Sequence, residues 1–149
     1  MSHTIEQHRR RAPMWVYEKN YRLLLRWLPF GREALPGQRA EAVHGTDRVT
    51  VRLVENSPYT QVVELRHDFG TASSFLQAVE FHVRLYHDAR VAEVIRYQDQ
   101  RRLRGRYAYP NARMFHPDEK RQTNLLLHDW LDLLRPMSFD IDEACPQAC

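Results

Sequence analysis

The chain has 149 residues, 43% of them hydrophobic and 28% charged, a balance that fits one compact soluble domain whose core needs no disulfide or metal staple. The formal net charge is +3, and the 22 basic residues are 20 Arg and 2 Lys; coding composition produces such a bias as readily as function does, so charge alone names no partner. No apolar run of about 18 residues is present to span a bilayer, and the polar, basic start lacks the apolar stretch of a secretion signal, which places the protein in the cytoplasm.

Residues 1–12 carry His3, His8 and three consecutive arginines with almost nothing apolar, and read as a mobile basic arm. Residues 13–136 read as a single α+β domain, and residues 137–149 as a tail. Pro13 suits a first helical position, and Met14, Tyr17, Tyr21, Leu24 and Leu28 recur at steps of three and four, which predicts one buried helical face before Pro29 stops the helix.

From Arg39 the period changes to two. Arg39 to His44, a turn at Gly45-Thr46-Asp47, and Arg48 to Glu55 predict a half-buried hairpin. Asn56-Ser57-Pro58 turns the chain into Thr60 to Asp68, and pairing Val51 with Val63 and Val49 with Leu65 keeps the apolar sides together. After a polar stretch, Val79, Phe81, Val83 and Leu85 alternate with Glu80, His82, Arg84 and Tyr86, and a turn at His87 to Arg90 leads into Val91 to Tyr97. A sixth strand is placed at Arg101 to Tyr107, returning along the fifth.

Pro117-Asp118-Glu119 is a proline-led, acidic helix start, and Leu127, Trp130, Leu131 and Leu134 mark its apolar face up to Pro136. The whole is predicted as an antiparallel sheet of about five to six strands packed by an N-terminal and a C-terminal helix, an α+β fold. Cys145 and Cys149 lie beyond every periodic segment, where they cannot cross-link a core; with no His or Cys nearby they are half a metal site at most.

In a tight hairpin Arg84 lies opposite Glu93 and Tyr86 opposite Val91, and an even loop into the sixth strand adds Arg104 beside Glu93. Two guanidinium forks around one carboxylate leave surplus positive charge suited to a phosphate or carboxylate, although cross-strand charge pairing explains the same row. His87 and Asp88 at the hairpin tip suit an oriented general base or a turn whose Asp accepts backbone N–H groups; the further ligands of a metal site are missing. His82 and His128 read as isolated structural histidines. If the sixth strand returns to the tip, Arg106, Tyr109 and Asn111 join the patch of Arg84, Tyr86, His87, Asp88 and Arg104. The segment from Arg101 to Tyr109 mixes arginine and tyrosine as single-strand nucleic-acid surfaces do, and a charge-protected edge strand looks the same.

Val83-Arg84-Leu85-Tyr86-His87-Asp88-Ala89, Val91-Ala92-Glu93-Val94, Tyr109-Pro110-Asn111, Asp118-Glu119-Lys120 and Asp129-Trp130-Leu131, with Asn20-Tyr21 near the start, resemble the bacterial YqiB-like family, domain of unknown function 1249. The resemblance covers residues 13 to 135 and implies a one-domain cytoplasmic protein with no established activity. The leading functional reading is a non-enzymatic binding or regulatory domain for an anionic small molecule or a protein partner. An enzyme acting on a phosphorylated or nucleotide substrate is second, with His87 as base, Asp88 as its orienter and the arginines as clamps, and a nucleic-acid binder is third. No cofactor, resident metal or membrane is expected, and the residues leave the oligomeric state open. Deleting residues 143–149 is expected to leave the melting temperature unchanged in a thermal scan, because the cysteines follow the last periodic segment.

Overall fold

Strict alternation of apolar and polar side chains builds most of the chain into strands, and proline marks where the first helix begins and ends. The computed structural model describes residues 12–31, 33–71, 75–103, 106–107, 117–134 and 140–141. Helix α1 spans Met14–Trp27, with Pro13 just outside it (φ −57°, ψ 144°) and Leu28 extended (φ −74°, ψ 127°), the geometry imposed on a residue preceding proline. Its buried residues are Val16, Asn20, Tyr21, Leu23 and Leu24. The expected face through Met14 is therefore corrected: Met14 is 64% exposed, because the helix turns Val16 and Asn20 inward instead.

The strands follow as β1 (Arg39–His44), β2 (Asp47–Asn56), β3 (Thr60–Asp68), β4 (Leu76–Tyr86), β5 (Val91–Leu103) and the two-residue β6 (Arg106–Tyr107). Helix α2 spans Pro117–Leu133, and a second two-residue strand, β7 (Asp140–Ile141), comes last. The five long strands form an antiparallel meander, with β6 beside β5 at one edge and β7 beside β1 at the other. Both helices pack against one face, where Val49, Val51, Leu53, Val63, Leu65, Phe81, Val83, Leu85, Ala92 and Val94 meet Leu24, Leu127, Trp130 and Leu131. The fold is α+β. Among the described residues no helix is long and apolar enough to cross a membrane.

Three local expectations change. Val51 pairs with Leu65 and Leu53 with Val63, two residues away from the expected register. A four-residue loop after Asn56, closed by Ser57 N–H donating to the Thr60 carbonyl (2.9 Å), and a bulge between Leu53 and Glu55 account for the shift, which leaves the buried side of the strands unchanged. Arg101 to Leu103 do not begin a returning strand; they continue β5, and β6 pairs through Arg102 with Tyr107 and Leu103 with Arg106. Residues 140–141, within the expected tail, pair with Ala40 and Glu41. The arm up to Arg11 and the two cysteines lie outside the described residues.

Backbone freedom matters at two glycines that meet each other's turns. Gly45 opens the two-residue β1–β2 turn with φ +63°, and Gly70 (φ +57°) passes so close that a Cβ there would stand 2.3 Å from the Thr46 carbonyl oxygen.

Two buried polar joints fasten the helices to the sheet. Asn20 and Asn124 are fully buried; the Asn20 amide donates to the Asn124 carbonyl (3.1 Å), and Asn124 Oδ1 accepts the Val94 N–H of β5 (2.9 Å) while its Nδ2 donates to the Lys120 carbonyl (2.8 Å). At the other end, the Trp130 indole N–H donates to His67 Nδ1 (2.9 Å). His67 is 6% exposed, its ring stacks on Phe69 at 4.0 Å, and its Nε2 faces Asp47 Oδ2 at 3.5 Å.

Each joint has a measurable consequence. Asn124→Ala orphans a buried strand N–H, so denaturant unfolding should show a loss of about 1–3 kcal/mol. Burial lowers the His67 pKa below its ordinary 6.5, against the opposing pull of Asp47. The unfolded chain then takes up this proton first as pH falls, so the histidine's contribution is intact above about pH 6.5 and is lost progressively below it. Melting temperatures from pH 8 to 5 should show this decline, and His67→Gln should flatten it.

Candidate functional site

The β4–β5 hairpin sorts the predicted residues by parity. Arg84 pairs with Glu93, Leu85 with Ala92 and Tyr86 with Val91, as the tight turn requires. Leu85 is fully buried on the helix-covered face, so Arg84 and Tyr86 lie on the open face. His87, one residue on, turns to the helix side. Tyr21 of α1 bonds its Nδ1 (2.9 Å), and its Nε2 meets Gln61 Oε1 of β3 (2.9 Å). The sheet therefore separates Arg84 and Tyr86 from His87.

The neighbours fix the imidazole tautomer. Gln61 Nε2 donates to Asn56 Oδ1 (3.3 Å) and the Gly31 carbonyl (3.4 Å), which leaves its Oε1 as an acceptor. His87 Nε2 must then carry the proton in the neutral ring, and Tyr21 O–H donates to Nδ1. Asn56 Nδ2 continues the relay to the Ala34 carbonyl (2.7 Å), and the His87 backbone N–H donates to the Tyr59 carbonyl (2.8 Å). A cleft of about 360 Å³ lined by Asn56, Ser57, Pro58, Gln61 and His87 opens beside this chain. Since both ring nitrogens are engaged, the arrangement holds α1, both hairpins and the Gly31 and Ala34 carbonyls together; it does not present a base.

Asp88 takes no part in that relay: its Oδ1 accepts the adjacent Ala89 N–H (2.9 Å), and Arg90 takes a positive φ of 56° to close the turn. The expected contact of Arg104 with Glu93 falls on a residue outside the described ones. Glu93 is ion-paired with Lys120 of α2. Arg106 sits opposite Leu103, at the end of β5 remote from the hairpin tip, so it does not stand beside His87. Arg104, Tyr109 and Asn111 lie outside the described residues. Arg101, from the Arg-Tyr segment, is held by Asp99 (3.1 Å) and lies over the Phe75 ring.

The open face carries a grid that the sequence reading missed. Arg52, Glu64, His82 and Arg96 stand side by side across β2 to β5, and Thr50, Arg66, Glu80 and Gln98 form the next row. His82 is not isolated: its Nε2 lies 3.2 Å from Glu80 and 3.8 Å from Glu64. That hydrogen bond from His82, with Arg66 nearby, holds the Glu80 carboxyl down to about 2, against burial. Arg52 pairs with Glu64 (2.5 Å), Arg66 with Asp68 (3.2 Å) and Arg48 with Glu41 (2.8 Å). Arg84 and Arg96 differ: Glu93 is engaged by Lys120, Arg96 lies beside the Gln98 side-chain amide, and neither guanidinium has a carboxylate partner among the described residues. The alternation Glu80-x-His82 was a usable signal for the grid. Tyr21, Gln61 and Asn56 gave little, because their partners are distant in sequence.

This architecture is that of a helix-backed antiparallel sheet with one open, charged face, and the chain belongs to a family of proteins of unknown function, DUF1249, whose model matches residues 23–137. The uncharacterized protein YqiB of Escherichia coli (strain K12) is 37% identical over 118 residues, which cover 79% of this chain and 82% of the relative. YqiB from Escherichia coli O157:H7 matches to the same extent. No solved structure matches the chain.

His87→Ala should cost about 1–3 kcal/mol in denaturant unfolding, as expected where buried partners are left unpaired. Asp88→Ala should leave stability within about 0.5 kcal/mol, since it only trims an exposed turn.

Proposed function

We propose that the protein is a non-enzymatic binding domain for a small anionic molecule bearing phosphate or carboxylate, held on the open face of the sheet by Arg84 and Arg96. The observation that carries this reading is that Arg84 and Arg96 have no carboxylate partner among the described residues, on a face where Arg48, Arg52 and Arg66 are each ion-paired. Arg84 and Arg96 sit two rungs apart on neighbouring strands, opposite Glu93 and His82 respectively, with the bulge between them. Their rigid planar forks suit tetrahedral or planar oxyanions, and a sheet fixes their spacing better than a loop would. The enzyme alternative is weakened because His87 spends both nitrogens on Tyr21 and Gln61 while Asp88 bonds its own turn. The nucleic-acid alternative loses Arg101 to Asp99.

The test is a thermal-shift series on the full chain with inorganic phosphate, pyrophosphate, citrate and nucleotides. A ligand selective for the native state, at about 100 times its dissociation constant, should add about 2.7 kcal/mol. Arg84→Ala should abolish that gain while changing the unliganded melting temperature little. A flat response to every anion removes the reading, and turnover of any panel member favours the enzyme instead.

A further inference from the structure

The centre of the open face holds a second cluster whose spacing is that of a metal site. Glu64 and His82 are directly opposed across β3 and β4, and Glu80, two residues before His82, shares their face. One ligand atom from each lies within 4.8 Å of the others. A zinc ion with bonds of about 2.1 Å in a tetrahedral shell sets its ligand atoms about 3.4 Å apart. The two edges that meet at His82 Nε2 measure 3.2 Å to Glu80 Oε1 and 3.8 Å to Glu64 Oε2, on either side of that value. The side chains are only 18–19% exposed, so this is not a set of loose surface groups.

Two carboxylates and an imidazole thus share one small volume although the like charges repel, and Arg52 and Arg66 supply positive charge only from the flanks. We infer that Glu64, Glu80 and His82 bind one divalent transition-metal ion of the zinc class. One imidazole and two carboxylates suit such an ion. Arg52 reaches Glu64 and Arg66 reaches Glu80 from the flanks, orienting the carboxylates as hydrogen-bonding partners of metal ligands do and holding the affinity below that of a purely anionic shell. With three protein ligands on an open face, the remaining coordination position faces solvent. The inference does not rest on the anion-binding reading, because Arg84 and Arg96 are not among the ligands.

The test uses the full chain, stripped with chelator and titrated with zinc chloride by calorimetry and with cobalt chloride by visible absorption. One equivalent should bind, with cobalt d–d bands and no thiolate charge-transfer band. His82→Ala and Glu80→Gln should each weaken binding at least tenfold, whereas Cys145→Ser with Cys149→Ser should leave it unchanged. Should either cluster variant melt early, Glu64→Gln and the cobalt spectrum of the unaltered chain decide. Absence of binding to the unaltered chain would mean an ion-pair network only and overturns the site, as do unchanged affinities in the cluster variants or loss of binding with the cysteines.

Discussion

Side-chain alternation in a sheet covered on one face only is the constraint from which the other features follow. A residue's parity decides whether it meets the helices or solvent, and every chemical group discussed above is assigned by it. Leu85 is sealed in the core, its neighbours Arg84 and Tyr86 face outward, and His87 reaches Tyr21 on the covered side. The bulge between His82 and Val83, matched on β5 by one extra residue at Ile95, changes the phase without losing the core: Val94 and Ala92 still meet Val83 and Leu85. The same bulge sets Arg96 beside His82 and leaves Glu93 beside Arg84.

Parity also explains which parts were legible before the structure was known. The β4–β5 pairing could be read residue by residue, because a four-residue turn with aligned apolar positions allows one register. The β2–β3 register slipped by two, since neither the bulge at Val54 nor the length of the Ser57–Thr60 loop leaves a mark in the apolar pattern, and a two-residue slip preserves it. The arginines from Arg101 onward were read as a new strand because charge interrupts alternation; in fact β5 runs on through Arg101 and Arg102, with Arg101 neutralised by Asp99.

The polar residues divide by the reach of their partners. His87 and Asp88, adjacent in sequence, invited a pairing that the structure does not contain, whereas Tyr21 lies 66 residues from the histidine it bonds. Gln61 is a buried polar residue at an inward position of β3, and Asn20 and Asn124 are buried amides on helix faces that otherwise read as apolar. Such groups are retained only where a partner satisfies them. Their partners here come from other elements, so no local pattern could name them. The outward grid is different: its rows follow from register alone once the strands are paired.

The Asn124 side chain has a consequence beyond fastening α2. At 13 residues β5 is the longest strand, and among the described residues its outer edge is paired with β6 only at Arg102 and Leu103. A long unpaired edge is a template on which another chain can add a strand and begin to aggregate. Because Asn124 Oδ1 already occupies the Val94 N–H, four residues into β5, an incoming strand finds the ladder interrupted there and a helix across its path. The amide that joins helix to sheet thereby also ends the sheet.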